Sequence, residues 1–165
     1  MPFRWYRCTD PGGRLARSLL GCCQPIRRRR ASMDTARVGQ VRAYRDDGST
    51  NHILLRAGKF DARNLLITWT VVSPRGQQRG HSHAGSEQAY VFIHGTGRMQ
   101  VGDEKEFVGP GELVYVPPGL VHSVTNTGEE NLVFITVASP PFPVERLFSE
   151  RGSRQLQAEP EVQLG

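Results

Sequence analysis

The residues best suited to chemistry in this sequence are His81 and His83, two positions apart, with His122 further along the chain. On extended backbone, side chains two apart project from one face, so the two imidazoles can converge. Glu87 and Gln88 follow, each offering an oxygen donor at the head of the apolar run Ala89 to Ile93. Adjacent strand residues face opposite sides, so at most one of the two can join the histidines. His122 comes after Pro117-Pro118-Gly119, a turn that can deliver it to the same place from a neighbouring part of a sheet. Imidazole nitrogens with one amide or carboxylate oxygen suit Zn, Mn, Fe, Ni or Co, and the donor set does not choose among them. One divalent transition metal ion per chain is the expected cofactor, and the alternative is a vestigial site. His52 and His94 lie outside this pattern, and His94, just before Gly95 at a turn, reads as a rim or surface histidine.

Positioning these groups requires strands. The triplet Ile53-Leu54-Leu55 within Asn51 to Ala57, and the β-branched run Leu65 to Val72, both read as strands. Pro74-Arg75-Gly76 ends the second, and Gln77 to Gly80 reads as a polar loop leading to His81. Gly97 to Val101 and Lys105 to Val108 flank Gly102-Asp103-Glu104 as a hairpin. Glu112 to Val116, Leu120 to Thr125 and Asn131 to Ala138 supply three more strands. Short strands at this spacing predict a closed antiparallel barrel or sandwich, without a helix of two turns between Asn51 and Phe142. Pro143 at a first helical position predicts a single turn over Val144 to Phe148. Upstream, Met33 to Ser49 reads as a short strand or a loose arm ending in the turn Asp46-Asp47-Gly48-Ser49, and Gln155 to Gly165 reads as a frayed tail.

The two histidine stretches resemble the paired signature of the cupin superfamily. In the first motif a glycine precedes His-x-His, an acid or amide follows, and a glycine closes the strand; in the second, Gly111, Pro117, Gly119, His122 and Asn126 stand at the family's spacing. Gly76 lies five residues before His81, where the family usually has its glycine six before. The resemblance covers about Asn51 to Ala138. It implies an all-β fold, a single-domain double-stranded β-helix or jelly-roll barrel, with a metal held by His81, His83, His122 and a fourth ligand. Counting the family's six intervening residues back from Gly95 lands on Gln88, which the resemblance therefore implies as that ligand. Tyr90 and Phe92 would then share its inward face, and Glu87 would point outward or to the rim.

At 165 residues one domain is expected, laid out as a basic extension over 1–32, an arm over 33–50, a barrel over 51–148 and a tail over 149–165. No apolar stretch approaches the roughly 18 to 20 residues that span a bilayer, so no membrane partner is expected. The net charge of +5 would invite a nucleic-acid reading. That reading fails because Met1 to Ser32 hold eight arginines and one aspartate, leaving thirteen basic and fifteen acidic residues in the remainder. Cys8, Cys22 and Cys23 all precede the domain, so no disulfide supports it, and a cytoplasmic location fits. Met1 to Arg30 is expected to be disordered, and Met33 is a candidate natural start.

Four protein ligands on an octahedral metal leave two positions for a bidentate oxygenated ligand, which is Lewis-acid geometry. Three neutral imidazoles and an amide leave the ion its full charge, which favours an anionic substrate. The expected function is a metal-dependent enzyme on a small oxygenated or anionic metabolite, of isomerase, cyclase, lyase or dioxygenase type. The alternative is a non-catalytic cupin that binds a small ligand through its metal. The ligand spacing is similar to that of small cupins that linearise unsaturated uronates, yet Asn131 to Ser139 holds no acid where those relatives carry one. Trp69, Tyr90, Phe92 and Phe134 are candidates for a pocket wall and are read first as core. Edge strands of a small barrel need cover, and a homodimer is the expected assembly.

Overall fold

The computed structural model describes residues 33–150 and 152–156. Eleven strands form along them: β1 (Ala43–Asp46), β2 (Ser49–Leu55), β3 (Leu66–Val72), β4 (Gln77–His81), β5 (Glu87–His94), β6 (Gly97–Val101), β7 (Glu104–Val108), β8 (Leu113–Val116), β9 (His122–Asn126), β10 (Leu132–Ser139) and β11 (Arg154–Leu156). One α-helix, α1 (Val144–Glu150), follows β10. The strands make two antiparallel sheets, ordered β11-β1-β2-β3-β10-β5-β8 and β4-β9-β6-β7.

Period two explains how the sheets meet. On β3, Leu66, Thr68, Thr70 and Val72 are buried, and on β5, Gln88, Tyr90 and Phe92 are. The alternate residues, Trp69 among them, are more exposed. Val72, Tyr90, Phe92, Leu132 and Phe134 of the first sheet pack with Met99, Val108 and Val124 of the second in one hydrophobic cluster. Phe134 centres it, with ring centroids 5.4 Å from both Tyr90 and Phe92. These aromatics are core, as read first from the sequence, although Tyr90 also reaches the site. A second cluster joins Tyr44, Ile53, Leu66 and Ala138 to Val144 and Phe148, and so fixes α1 against the end of the larger sheet.

Glycine is required where backbones cross. Gly95 has φ +77°, and a Cβ there would lie 2.5 Å from the Asn131 carbonyl oxygen. At Gly76 a Cβ would lie 2.9 Å from the Gly48 carbonyl oxygen, so the turn before β4 passes directly over the β1–β2 turn. Asn126 closes the same end, donating to the carbonyls of Val72 (2.8 Å) and Glu130 (2.7 Å) and accepting from the Gly128 amide (2.9 Å).

The architecture corrects several expectations. The expected all-β jelly-roll of antiparallel strands is present, though its two sheets are not closed into a barrel: β7 and β8 are edges, and a pocket of about 560 Å³ bordered by Met99, Val114 and Tyr115 lies between them. Gln77 to Gly80 is strand rather than loop, because an edge strand exposed on both faces can be polar and is held by its ladder to β9. The arm contributes β1, paired on both sides by β2 and β11, so residues 154–156 are strand and not frayed tail. The helix after Pro143 runs seven residues rather than one turn, because Val144 and Phe148 anchor its buried face. The expectations for Met1 to Ser32 and for residues 157–165 lie outside the described residues.

Candidate metal centre

The site forms where the two sheets face each other at one end. His81 ends β4 and stands directly opposite His122, the first residue of β9, in their antiparallel ladder. Between Gln78 and His81 the register slips by one residue, a bulge that turns His81 onto the face of His122. Their ring centroids lie 4.2 Å apart. His83 follows in the loop after β4, at 4.9 Å from the His81 ring and 5.6 Å from that of His122. The Gly119 amide donates to the His83 carbonyl at 2.9 Å, fastening the first histidine stretch to the Pro-Pro-Gly turn of the second.

Backbone carbonyls orient two of the rings. His81 Nδ1 lies 2.7 Å from the Arg79 carbonyl oxygen, and His122 Nδ1 lies 2.9 Å from that of Leu120. A carbonyl only accepts, so each Nδ1 carries the proton and each Nε2 has the lone pair to offer, the usual arrangement of metal-binding histidines. One nitrogen from each histidine falls within 4.8 Å of the others. That is close to the separation of about 3 to 4 Å that nitrogens sharing one ion adopt. His122 is 1% exposed, and His81 is half-buried.

The oxygen donor comes from the opposing sheet. Gln88 on β5 is buried, its Oε1 accepts no hydrogen bond among the described residues, and its register partner on β10 is the small Ala138. A buried amide oxygen without a donor is costly and calls for a cation or another partner. Glu87 faces away: it is exposed and accepts a hydrogen bond of 2.8 Å from the Tyr115 hydroxyl, which holds the Tyr115 proton above the usual phenol range. The donor set therefore fits a divalent ion, with the amide rather than the carboxylate pointing inward.

Gln88, His81 and His83 line one small chamber of about 20 Å³ together with Tyr90, Gln78 and Phe142. The Tyr90 hydroxyl donates to Gln78 Oε1 at 3.1 Å. Beside them a buried polar ladder crosses three strands. Thr136 bonds Thr68 at 2.5 Å, Thr70 donates to Asn51 at 3.0 Å, and Asn51 donates to Ser49 at 3.2 Å. Sequence reasoning missed Thr68, Thr136, Asn51, Gln78 and Phe142. Thr68 is on the inward face of β3, and only cross-strand register shows that it meets Thr136 at the site. His94 is exposed and pairs with Glu130 at 3.1 Å, which agrees with a surface reading.

Residues 68–138 match the family described as Cupin domain. An uncharacterised protein of Methanocaldococcus jannaschii is 28% identical over 99 residues, covering 60% of this chain and 79% of that protein. A glucose-6-phosphate isomerase of Thermococcus kodakarensis is 38% identical over 66 residues. That match covers 36% of this chain and 35% of the isomerase, so the chain spans about a third of that relative's length. A solved structure from Thermotoga maritima, described as a predicted oxalate decarboxylase, superposes with TM-score 0.59 at 18% identity over 65% of this chain and 99% of that one. At that identity the likeness concerns the fold. All three clustered histidines fall within residues 68–138, so the part of the chain that carries the site is the part similar to the Cupin domain family.

Proposed function

We propose that this protein is a metal-dependent cupin in which His81, His83, His122 and Gln88 hold one divalent transition metal ion, and that it acts on a small anionic, oxygenated metabolite. The observation that carries this reading is the convergence of three histidines with a buried amide oxygen that lacks a donor among the described residues. When bound, the ion supplies Lewis acidity toward a carbonyl, hydroxyl or carboxylate oxygen. The protein's part is to orient the ligands through the carbonyls of Arg79 and Leu120 and to supply a proton-holding group. Tyr90 is that group: its ring lies 5.8 Å from that of His122, and its hydroxyl, in hydrogen-bond contact with Gln78, can give or take a proton at Oη. Glu87, the other candidate acid, faces outward.

No ligand of the set carries a charge, which leaves the ion's positive charge to attract an anion. The match to a glucose-6-phosphate isomerase, whose substrate is a phosphorylated sugar, supports an oxygen-rich anion and an isomerase-type reaction. A second reading, a metal-containing module that binds without turnover, is favoured by one feature. Among the described residues the chamber's lining contains no carboxylate, and it includes the apolar side chains of Leu66, Val144 and Phe148 beside the hydroxyls.

Elemental analysis of protein purified without added metal, with His122→Ala in parallel, tests the reading first. About one ion per chain in the parent and near none in the variant is expected; equal content in both would overturn it. A screen of sugar phosphates, uronates, α-keto acids and diketones then separates the two readings, because turnover abolished by Tyr90→Phe supports the enzyme. Saturable binding without turnover supports the module.

A further inference from the structure

The chamber at the metal centre is small, yet it adjoins a much larger pocket of about 560 Å³ on the protein surface. His83, Phe142 and Leu147 line both spaces, so these side chains form the wall between them. Phe142 is the principal part of that wall, with its ring stacked on His83 at 3.7 Å between centroids and 16° between planes. The outer pocket is also lined by Arg146, an exposed residue of α1.

The backbone around Phe142 is held at both ends. Ser86 Oγ donates to the Pro140 carbonyl at 2.7 Å, and the Val144 amide donates to the Phe142 carbonyl at 2.8 Å. Beyond it, α1 is fixed by Phe148 stacking on Tyr44 at 4.8 Å and by Glu145, which pairs with Arg42 (3.7 Å) and Arg56 (3.5 Å). A side chain on an anchored turn can swing while the helix stays in place.

We propose that the outer pocket is the entrance to the metal chamber, that the Phe142 side chain is its gate, and that Arg146 receives the anionic end of the ligand. This rests on the metal reading above. A phosphate or carboxylate held by Arg146 leaves the opposite, hydroxyl- or carbonyl-bearing end of the molecule to pass Phe142 and meet the hydroxyl and amide groups of the chamber. The ligand class that fits is an elongated anion with its charge at one end and oxygen functions at the other, and a compact neutral molecule gains nothing from this entrance.

The test uses the cobalt-loaded protein and two chelators, dipicolinate as a dianion and phenanthroline as a neutral probe. Cobalt uptake, cobalt release and affinity are followed by absorbance. A gate limits entry and exit alike, so Phe142→Ala should raise both rates by about tenfold and leave the dissociation constant within about twofold. If release alone accelerates, Phe142 merely packs on His83 and the gate is refuted. Should Phe142→Ala fail to fold by circular dichroism, Phe142→Leu carries the same test with a smaller acceleration in both directions. Loss of a charge at an entrance lowers the association of anions selectively. Arg146→Gln should therefore slow withdrawal by dipicolinate by about tenfold, at low salt, and leave phenanthroline unchanged. Equal effects on both chelators would overturn the anion site. A parent protein that holds no cobalt defeats the metal reading before any variant is compared, whereas retained cobalt with unchanged variant kinetics defeats only the gate.

Discussion

At the residue scale the assignment turns on two neighbours. Gln88 is buried, lines the chamber and has no hydrogen-bond donor to its Oε1 among the described residues, and Glu87 is exposed with its carboxylate held by Tyr115. Gln88→Ala is expected to lower metal affinity by about ten- to a hundredfold, the usual cost of damaging a ligand's immediate environment, while Glu87→Ala keeps the parent's metal content. Titration with a metal indicator checks this, and the reverse pattern would overturn the amide assignment and the argument for an anionic substrate. In the core, Phe134 is fully buried between Tyr90 and Phe92. Phe134→Ala should cost about 3 to 5 kcal/mol by removing that contact and leaving a cavity, read as a lower denaturant midpoint.

At the element scale the β1–β2 turn is tied to β4. Gln77 donates to the Asp47 carboxylate at 2.5 Å and Arg79 at 3.2 Å. These hydrogen bonds, that from Gln77 first, hold the Asp47 carboxyl below its ordinary pKa of 3.8. A depressed folded-state pKa stabilises the native form above the unfolded value, and that contribution is lost as the pH falls through the folded one. In Gln77→Ala the Asp47 midpoint, followed by carbon-13 resonance, is expected to rise toward 3.8. An unmoved midpoint would show that the turn is held some other way. Asn126 joins the Val72 carbonyl of β3 to two backbone groups of the β9–β10 loop. Its replacement by alanine should destabilise by about 2 to 3 kcal/mol, because buried amide and carbonyl groups lose their partners.

At the scale of the whole molecule, both hydrophobic clusters among the described residues are built from positions 44 to 148. A chain begun at Met33 is therefore expected to melt at the same temperature as the full chain and to retain its metal; a drop of several degrees by calorimetry would contradict that. Exposed edges argue for assembly. β8 ends the larger sheet with Leu113 and Tyr115 exposed, and β7 ends the smaller with Phe107 74% exposed. Such edges favour pairing with a second copy, and light scattering at tens of micromolar should report a dimer. A monomer there would remove the idea. No described helix is long and apolar enough to cross a membrane.

Much of this was legible in the sequence, because alternation and turn chemistry are local properties. Leu66 to Val72 and Glu87 to His94 announce strands by β-branched and apolar runs, and the positions of His81, His83, Gln88 and His122 together with Gly95 and Gly119 mark one site before any coordinates. The sequence also placed Gln88, Tyr90 and Phe92 on one face, since period two leaves no other choice once one of them points inward. Strands whose side chains gain nothing from burial were not legible. Gln77 to His81 and Arg154 to Leu156 are polar, and they are strands only because a neighbouring backbone pairs with them. Tertiary structure alone decided the bulge that sets His81 across from His122, the open flank between β7 and β8, and the arrival of Phe142 over His83. Each depends on contacts between residues far apart in the chain, whose geometry is fixed by packing and ladder register, and no local pattern of residue types encodes that.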